Sequence, residues 1–207
     1  MTESIVTIFV TLFVIIDPIG LAPIFVALTP GMSQRARRGI ALRAVCIAFA
    51  ILAVFAIAGE PLLNAVGIGM PAFRISGGIL LFLIAVEMLF EKRTPRREKA
   101  AGAEVQSDPS VFPLALPLLA GPGAMATVIL VMSGEGTDLT QLAIVLGVVA
   151  TVLLITLVLF LGAGLLERVL GATGINVITR ILGVLLAALS IQFILDGLAD
   201  IGVIGGV

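Results

Sequence analysis

Two long stretches of this sequence carry no charged residue, and they restrict the possible folds more than any other feature. They cover residues 110–134 and 142–166. A helix needs about 20 apolar residues to cross the hydrocarbon core of a bilayer. Hydrophobic residues make up 60% of the chain and charged residues only 12%, which is too few to cover a water-soluble surface. We therefore predict an all-α membrane protein.

Apolar segments continue along the chain and predict six transmembrane helices. Their approximate bounds are 4–28, 40–59, 70–90, 110–132, 141–166 and 175–198. The first segment lacks the basic residues that open a secretory signal, so we interpret it as a retained span. Little of the chain remains for a domain outside the bilayer.

Basic residues are confined to alternate connections between the predicted spans. Apart from Arg74 and Arg180, every lysine and arginine lies in or beside the first, third or fifth connection. Cytoplasmic loops collect basic residues, so the N-terminus and the C-terminus are both predicted on the outer side. The basic segment 93–109 is interpreted as a cytoplasmic linker between residues 1–92 and residues 110–207.

These two halves resemble each other. PAFRISGGILL in the third span aligns with VITRILGVLLA in the sixth, pairing Arg74 with Arg180, and Pro18 of the first span matches Pro122 of the fourth. Three spans is an odd number, so a second copy enters the membrane from the opposite side. The prediction is two inverted three-helix repeats, with chance similarity of Gly- and Leu-rich helices as the alternative.

Both repeats carry a helix-breaking motif midway through their first span. DPIGLAPIF occupies residues 17–25, and LLAGPGAMAT occupies residues 118–127. A proline inside a helix costs about 3 kcal/mol, and broken backbone at mid-membrane survives only against protein or a wet cavity. Helices 1 and 4 are therefore predicted to be broken, with the breaks facing inward.

Two such breaks would place two half-helix N-termini close together at the midplane. Each N-terminus offers unpaired amides and a partial positive charge, which suit an anionic group such as a carboxylate. The alternative is a kink that lets helices pack closely through small residues. The predicted substrate-binding residues are Asp17, Pro18, Gly20, Gly121, Pro122 and Gly123.

Asp17 is the one charge at either break. A carboxylate at mid-membrane is costly and is usually partnered and functional. It is predicted to accept a hydrogen bond from a substrate ammonium, to bind a coupling cation, or to carry a proton. Its structural alternative is to cap the half-helix that starts after Pro18.

The remaining polar residues of the spans receive structural or gating interpretations. Glu87 is predicted to be an interfacial acid facing Lys92 or Arg93, with an ion or gate role as the alternative. Arg74 and Arg180 are predicted to be framework residues, either snorkelled to the interface or bound to carbonyls freed at the breaks. Two further predictions are a hydrogen bond from Gln192 within the bundle and a core position for Cys46.

Composition excludes several classes of function. The chain has no histidine and one cysteine, so it lacks a zincin motif, a Ser–His dyad and an internal disulfide. We predict no enzyme activity, no metal site and no cofactor. A net charge of −1 gives no sign of nucleic-acid binding. The predicted partners are the lipid bilayer, a small solute and a coupling ion, H⁺ or Na⁺, and a homo-oligomer is left open.

Four segments in order resemble the MarC family of bacterial inner-membrane proteins. They are IDPIGLAPIFVALTP, RISGGILLFLIAVEMLF, FPLALPLLAGPGAMATVI and RILGVLLAALSIQFILDG. The resemblance covers essentially the whole chain. It implies six spans in the bacterial cytoplasmic membrane and, for some members, transport of neutral amino acids.

A transporter or facilitator of a small solute, such as a neutral amino acid, is the leading functional hypothesis. A channel-like pore, an intramembrane enzyme and a non-transporting scaffold are the alternatives. The structural alternative is that each broken span is a re-entrant hairpin, which would make the repeats parallel.

Overall fold

A computed structural model of the protein describes residues 5–90, 108–133 and 139–203, and these form eight helical segments and no strand. The all-α prediction is confirmed. The segments are α1 (Ile5–Ile16), α2 (Pro18–Leu28), α3 (Gln34–Ala65), α4 (Met70–Leu89), α5 (Ser110–Leu119), α6 (Pro122–Met132), α7 (Leu139–Leu161) and α8 (Ala163–Asp200).

Within these described ranges, five helices are long and apolar enough to cross a membrane, and α5 and α6 add a sixth if the bent pair is one span. The first of the five, Ile5–Leu28, consists of α1 and α2 together. Helix α3 has 32 residues and outruns its predicted span 40–59. At 1.5 Å per residue it is about 48 Å long, well over the roughly 30 Å of hydrocarbon, so both of its ends leave the apolar layer.

Each broken helix packs mainly on helices of the opposite half of the chain. Helices α1 and α2 pack on α7 and α8, whereas α5 packs on α3, and α6 packs on α3 and α4. The stacked rings of Phe25 and Phe160, with centroids 4.5 Å apart, join α2 to α7. The broken segments are therefore held between the two halves.

Helices α4 and α8 form a close antiparallel pair. A Cβ atom on Gly78 would lie 2.8 Å from the carbonyl oxygen of Ser190, and one on Gly183 would lie 3.3 Å from that of Ala85. As residue numbers rise along α4, the contacted residue numbers fall along α8, so the helices run in opposite directions. Glycine permits this approach because it has no side chain.

Apolar side chains also cover the outside of the bundle. Val54, Leu83 and Leu154 are all more than half exposed, although each lies inside an apolar helix. Cys46 belongs to the same outer surface, and its predicted core position is wrong. The central part of α3 is apolar on all sides, so its sequence does not reveal which face meets protein.

Candidate functional site

The first break is a single residue, Asp17, at the centre of the first span. Helix α1 contributes 12 residues before it and α2 contributes 11 after it. Asp17 has φ 55° and ψ 63°, the left-handed conformation, which few non-glycine residues adopt and which aspartate and asparagine tolerate best. Its side chain is 1% exposed, so the break faces the protein interior.

The side chain of Asp17 caps the half-helix that follows the break. Its Oδ1 atom accepts a hydrogen bond from the amide of Gly20 at 3.1 Å. A Cβ atom at residue 20 would lie 2.2 Å from Oδ2 of Asp17. Any larger residue at position 20 would therefore occupy the space of the Asp17 carboxylate. This is the steric reason for a glycine three residues after the aspartate.

The second break separates α5 from α6, which are bent by 53°. Helix α5 has wide turns, with Phe112 and Leu116 outside helical geometry, and contains two prolines. Gly121 precedes α6 and makes no side-chain cap. A Cβ atom on Gly121 would lie 2.5 Å from the carbonyl oxygen of Pro117, so a larger residue does not fit this bend.

The two breaks meet in the folded protein. A Cβ atom on Gly123, in the first turn of α6, would lie 3.2 Å from Cγ2 of Ile15, in the last turn of α1. The same point lies 2.8 Å from Ile84 and 3.2 Å from Leu81 on α4. The start of α6 thus packs against a residue that is two positions before Asp17 in the chain.

The predicted binding residues differ in their exposure. Pro18 and Gly123 are buried like Asp17, and Gly20 and Gly121 are half-buried. Pro122 is exposed, so its ring lies outside the packed side of the break, whereas Gly123, the next residue, lies within it. The first break therefore faces inward at Asp17 and Pro18, as predicted, whereas Gly123 is the one buried residue of the three predicted at the second break.

Two of the three polar residues predicted to be structural, Arg74 and Gln192, have carboxylate partners on α8. Arg74, near the start of α4, forms an ion pair of 2.7 Å with Asp200 at the end of α8. Gln192 donates to Asp196 at 2.8 Å within α8. Arg180 lies exposed on α8.

Glu87 is half-buried in the last turns of α4. Its predicted partners, Lys92 and Arg93, lie outside the described residues.

Sequence reasoning missed two buried hydroxyls near the breaks. Thr127 is fully buried one turn after Gly123 and donates to its carbonyl oxygen at 2.9 Å. Thr11 is 2% exposed one turn before Ile15, and its hydroxyl has no partner among the described residues. A polar residue within a predicted span is the signal that would have marked both positions.

A second ion pair was also missed. Arg43 of α3 contacts Asp108, just before α5. The hydroxyl of Ser110 donates to Asp108 at 2.7 Å and its amide donates at 3.0 Å. These two bonds, with the positive charge of Arg43, hold the pKa of the Asp108 carboxyl below its usual 3.8, so it is charged at neutral pH.

Helices that are apolar both toward one another and toward their surroundings define a multi-pass integral membrane protein. The chain belongs to the MarC family of integral membrane proteins, whose family model matches residues 2–202. The family resemblance carried by the four sequence segments is thereby confirmed, and contact with a lipid bilayer follows from it.

Relatives from bacteria and archaea match nearly the whole chain. It is 41% identical over 201 residues to a UPF0056 membrane protein of Aquifex aeolicus, covering 93% of this chain and 91% of the relative. Identity is 38% over 195 residues to one from Archaeoglobus fulgidus, with coverage of 93% and 91%. It is 39% over 200 residues to YhcE of Escherichia coli, again with 93% and 91%. No solved structure is significantly similar to the chain.

Proposed function

We propose that the protein is a transporter or facilitator that binds a small solute between its two helix breaks. The observation that carries this proposal is the contact between Gly123 and Ile15, because it joins the start of one half-helix to the break that holds a buried carboxylate. Interrupted spans that meet in this way are typical of solute sites in secondary transporters.

A neutral amino acid suits the chemistry of this site. The first amides of α6 receive no side-chain cap from Gly121, and they favour the carboxylate of the solute. Asp17 favours its ammonium group, or a coupling H⁺ or Na⁺. The hydroxyl of Thr11, which has no partner among the described residues, adds a hydrogen-bond donor on the same helix as Ile15.

Six spans in two inverted repeats give the architecture for this function. Three features support the proposal: the broken helices pack across the halves, α4 and α8 are antiparallel, and α5 and α6 are bent by 53°. A re-entrant hairpin reverses direction, whereas a bend of 53° leaves both segments pointing toward the same side. The bend therefore favours one crossing over a hairpin.

We predict that cysteines placed at Gly136 and at Ala101 will react from opposite sides of the membrane. The connection around Gly136 has no basic residue in its sequence and Ala101 belongs to the basic segment, so Gly136 is expected on the outer side. Impermeant maleimide labelling of intact cells, after Cys46→Ala removes the native thiol, measures the orientation. Labelling of both positions from one side would overturn the inverted repeats.

We predict saturable uptake of one or more neutral amino acids by proteoliposomes that contain the purified protein. A carrier exchanges internal for external solute, so preloading with unlabelled amino acid is expected to speed the entry of labelled solute. A pore predicts uptake that neither saturates nor responds to preloading. The absence of uptake across a panel of amino acids, with correctly inserted protein, would reject this substrate class.

The proposal includes no catalytic step. The chain has no histidine, and neither break brings a nucleophile and a base together among the described residues. A bacterial cytoplasmic membrane with both termini outside is part of the same proposal. Assembly into a homo-oligomer is compatible with it and is not needed for the site.

A further inference from the structure

Two of the ion pairs formed by described residues connect helices of the first half to later parts of the chain. Arg43 on α3 pairs with Asp108, which precedes α5, and Arg74 on α4 pairs with Asp200 on α8. The Arg74–Asp200 pair therefore connects the two halves directly, and the Arg43–Asp108 pair connects the first half to the end of the linker, two residues before α5 begins. The hydrogen bond from Gln192 to Asp196, in contrast, stays within α8.

The two pairs lie at opposite ends of the bundle. Arg43 is near the start of α3, and Arg74 is near the start of α4, which follows the end of α3 after a short loop. At 1.5 Å per residue, the helix from residue 43 to residue 65 extends about 33 Å, which is comparable with the thickness of the hydrocarbon core. One pair therefore lies near each membrane surface.

Both pairs are connected to the helix breaks. Asp108 is fixed to Ser110, the first residue of α5, which leads into the second break. Arg74 lies on α4, and Leu81 and Ile84 of the same helix contact the position of Gly123. A movement that separates either pair therefore shifts a helix that lines the site.

The four side chains of these ion pairs are partly exposed to solvent, which is typical of ion pairs that form and break easily. The side chains are 59% and 38% exposed in Arg43–Asp108 and 22% and 39% exposed in Arg74–Asp200. Ion pairs with this much solvent access are weak, since water and salt compete with them. Both are formed while Asp17 and Ala120 are buried.

We propose that these two ion pairs are the gates of the solute site, one at each membrane surface, and that both are closed in this conformation. The inference rests on the proposed transport function. Opening one pair separates the halves at that end and gives the site access to one side only. Alternating access then consists of breaking one pair while the other remains closed.

Labelling of a buried cysteine tests the gates directly. Ala120→Cys in a Cys46→Ala background places a reporter at the second break, where residue 120 is 0% exposed. Impermeant maleimide is added to sealed vesicles of each orientation. Asp108→Asn is expected to raise the labelling rate roughly two- to fivefold from the Arg43 side, and Asp200→Asn by a similar factor from the Arg74 side.

Asp196→Asn is the matched control, because it removes an acid one turn from Asp200 whose hydrogen bond with Gln192 stays within α8. Its labelling is expected to equal that of the parent. Gate variants that label like this control, or equally from both sides, would overturn the proposal. If an aspartate variant fails to fold, the same ion pair is removed at its arginine instead, with Arg43→Gln or Arg74→Gln.

Uptake by vesicles that contain the same gate variants with Ala120 intact separates the two proposals. Side-specific labelling without uptake of any amino acid would support the gate proposal and reject amino acids as the substrate class. Uptake with unchanged labelling would support the transport proposal and reject the gate proposal. Exchange of charges, Arg74→Asp with Asp200→Arg, is expected to return labelling to the parent rate.

Discussion

Replacing Asp17 with asparagine is expected to reduce solute uptake sharply while the protein remains folded. Asparagine tolerates the left-handed backbone of residue 17, and its amide oxygen can accept the hydrogen bond from Gly20. The substitution therefore keeps the cap and removes the charge. Hydrogen bonds to charged groups are worth about 1.5–3 kcal/mol, so uptake is expected to fall roughly tenfold or more in proteoliposomes.

Alanine at the same position separates the two roles of the carboxylate. Asp17→Ala loses the cap and also places a Cβ-bearing residue without a polar side chain in the left-handed region. We expect this variant to be less stable than Asp17→Asn by about 2 kcal/mol or more, measured by thermal unfolding in detergent. Full uptake by Asp17→Asn would mean that the carboxylate serves only as a helix cap.

Local chemistry made the helix breaks predictable from the sequence. Proline lacks an amide hydrogen, so Pro18 and Pro122 each mark a place where a helix restarts, and both are the first residue of a helical segment. The bounds of the apolar spans followed from length and composition alone. Helix α3 extends past its predicted span because hydropathy detects only the apolar part of a helix.

The neighbours of each helix were not predictable in the same way. Arg74 and Asp200 are 126 residues apart in the chain, and several acids were equally plausible partners before folding. Cys46 was misplaced because α3 offers apolar residues to protein and to lipid alike. The meeting of Gly123 with Ile15 depends on packing across the halves, which one sequence suggests only through the symmetry of its repeats.

The hydroxyl of Thr11 shows why some residues of the proposed site escape prediction from the sequence. Threonines inside helices commonly donate to a carbonyl four residues earlier, as Thr127 and Thr156 do in this protein. Thr11 is equally buried and has no such bond among the described residues. The three threonines look alike in the sequence, and only the fold distinguishes Thr11 from the other two.

Valine in place of Gly78 is expected to destabilise the protein strongly by forcing α4 and α8 apart. A Cβ atom at residue 78 would lie 2.8 Å from the carbonyl oxygen of Ser190 and 3.1 Å from the amide nitrogen of Ile194. Both are backbone atoms of α8, so relief requires the two helices to separate. Overpacking of this kind costs about 1–3 kcal/mol, measured as a lower unfolding temperature in detergent.

Gly147→Val is the matched control for this prediction. Gly147 also lies inside an apolar helix, α7. Apart from its own helix backbone and chain neighbours, no atom of the residues that the structure describes lies within 4 Å of a Cβ at that position. Both substitutions carry the same intrinsic cost of valine in a helix, so the difference between them isolates the α4–α8 contact. Equal unfolding temperatures for the two variants would contradict the close antiparallel pairing. A larger loss for Gly78→Val, with Gly78→Ala intermediate, is the expected order because the displacement of α8 grows with the added volume.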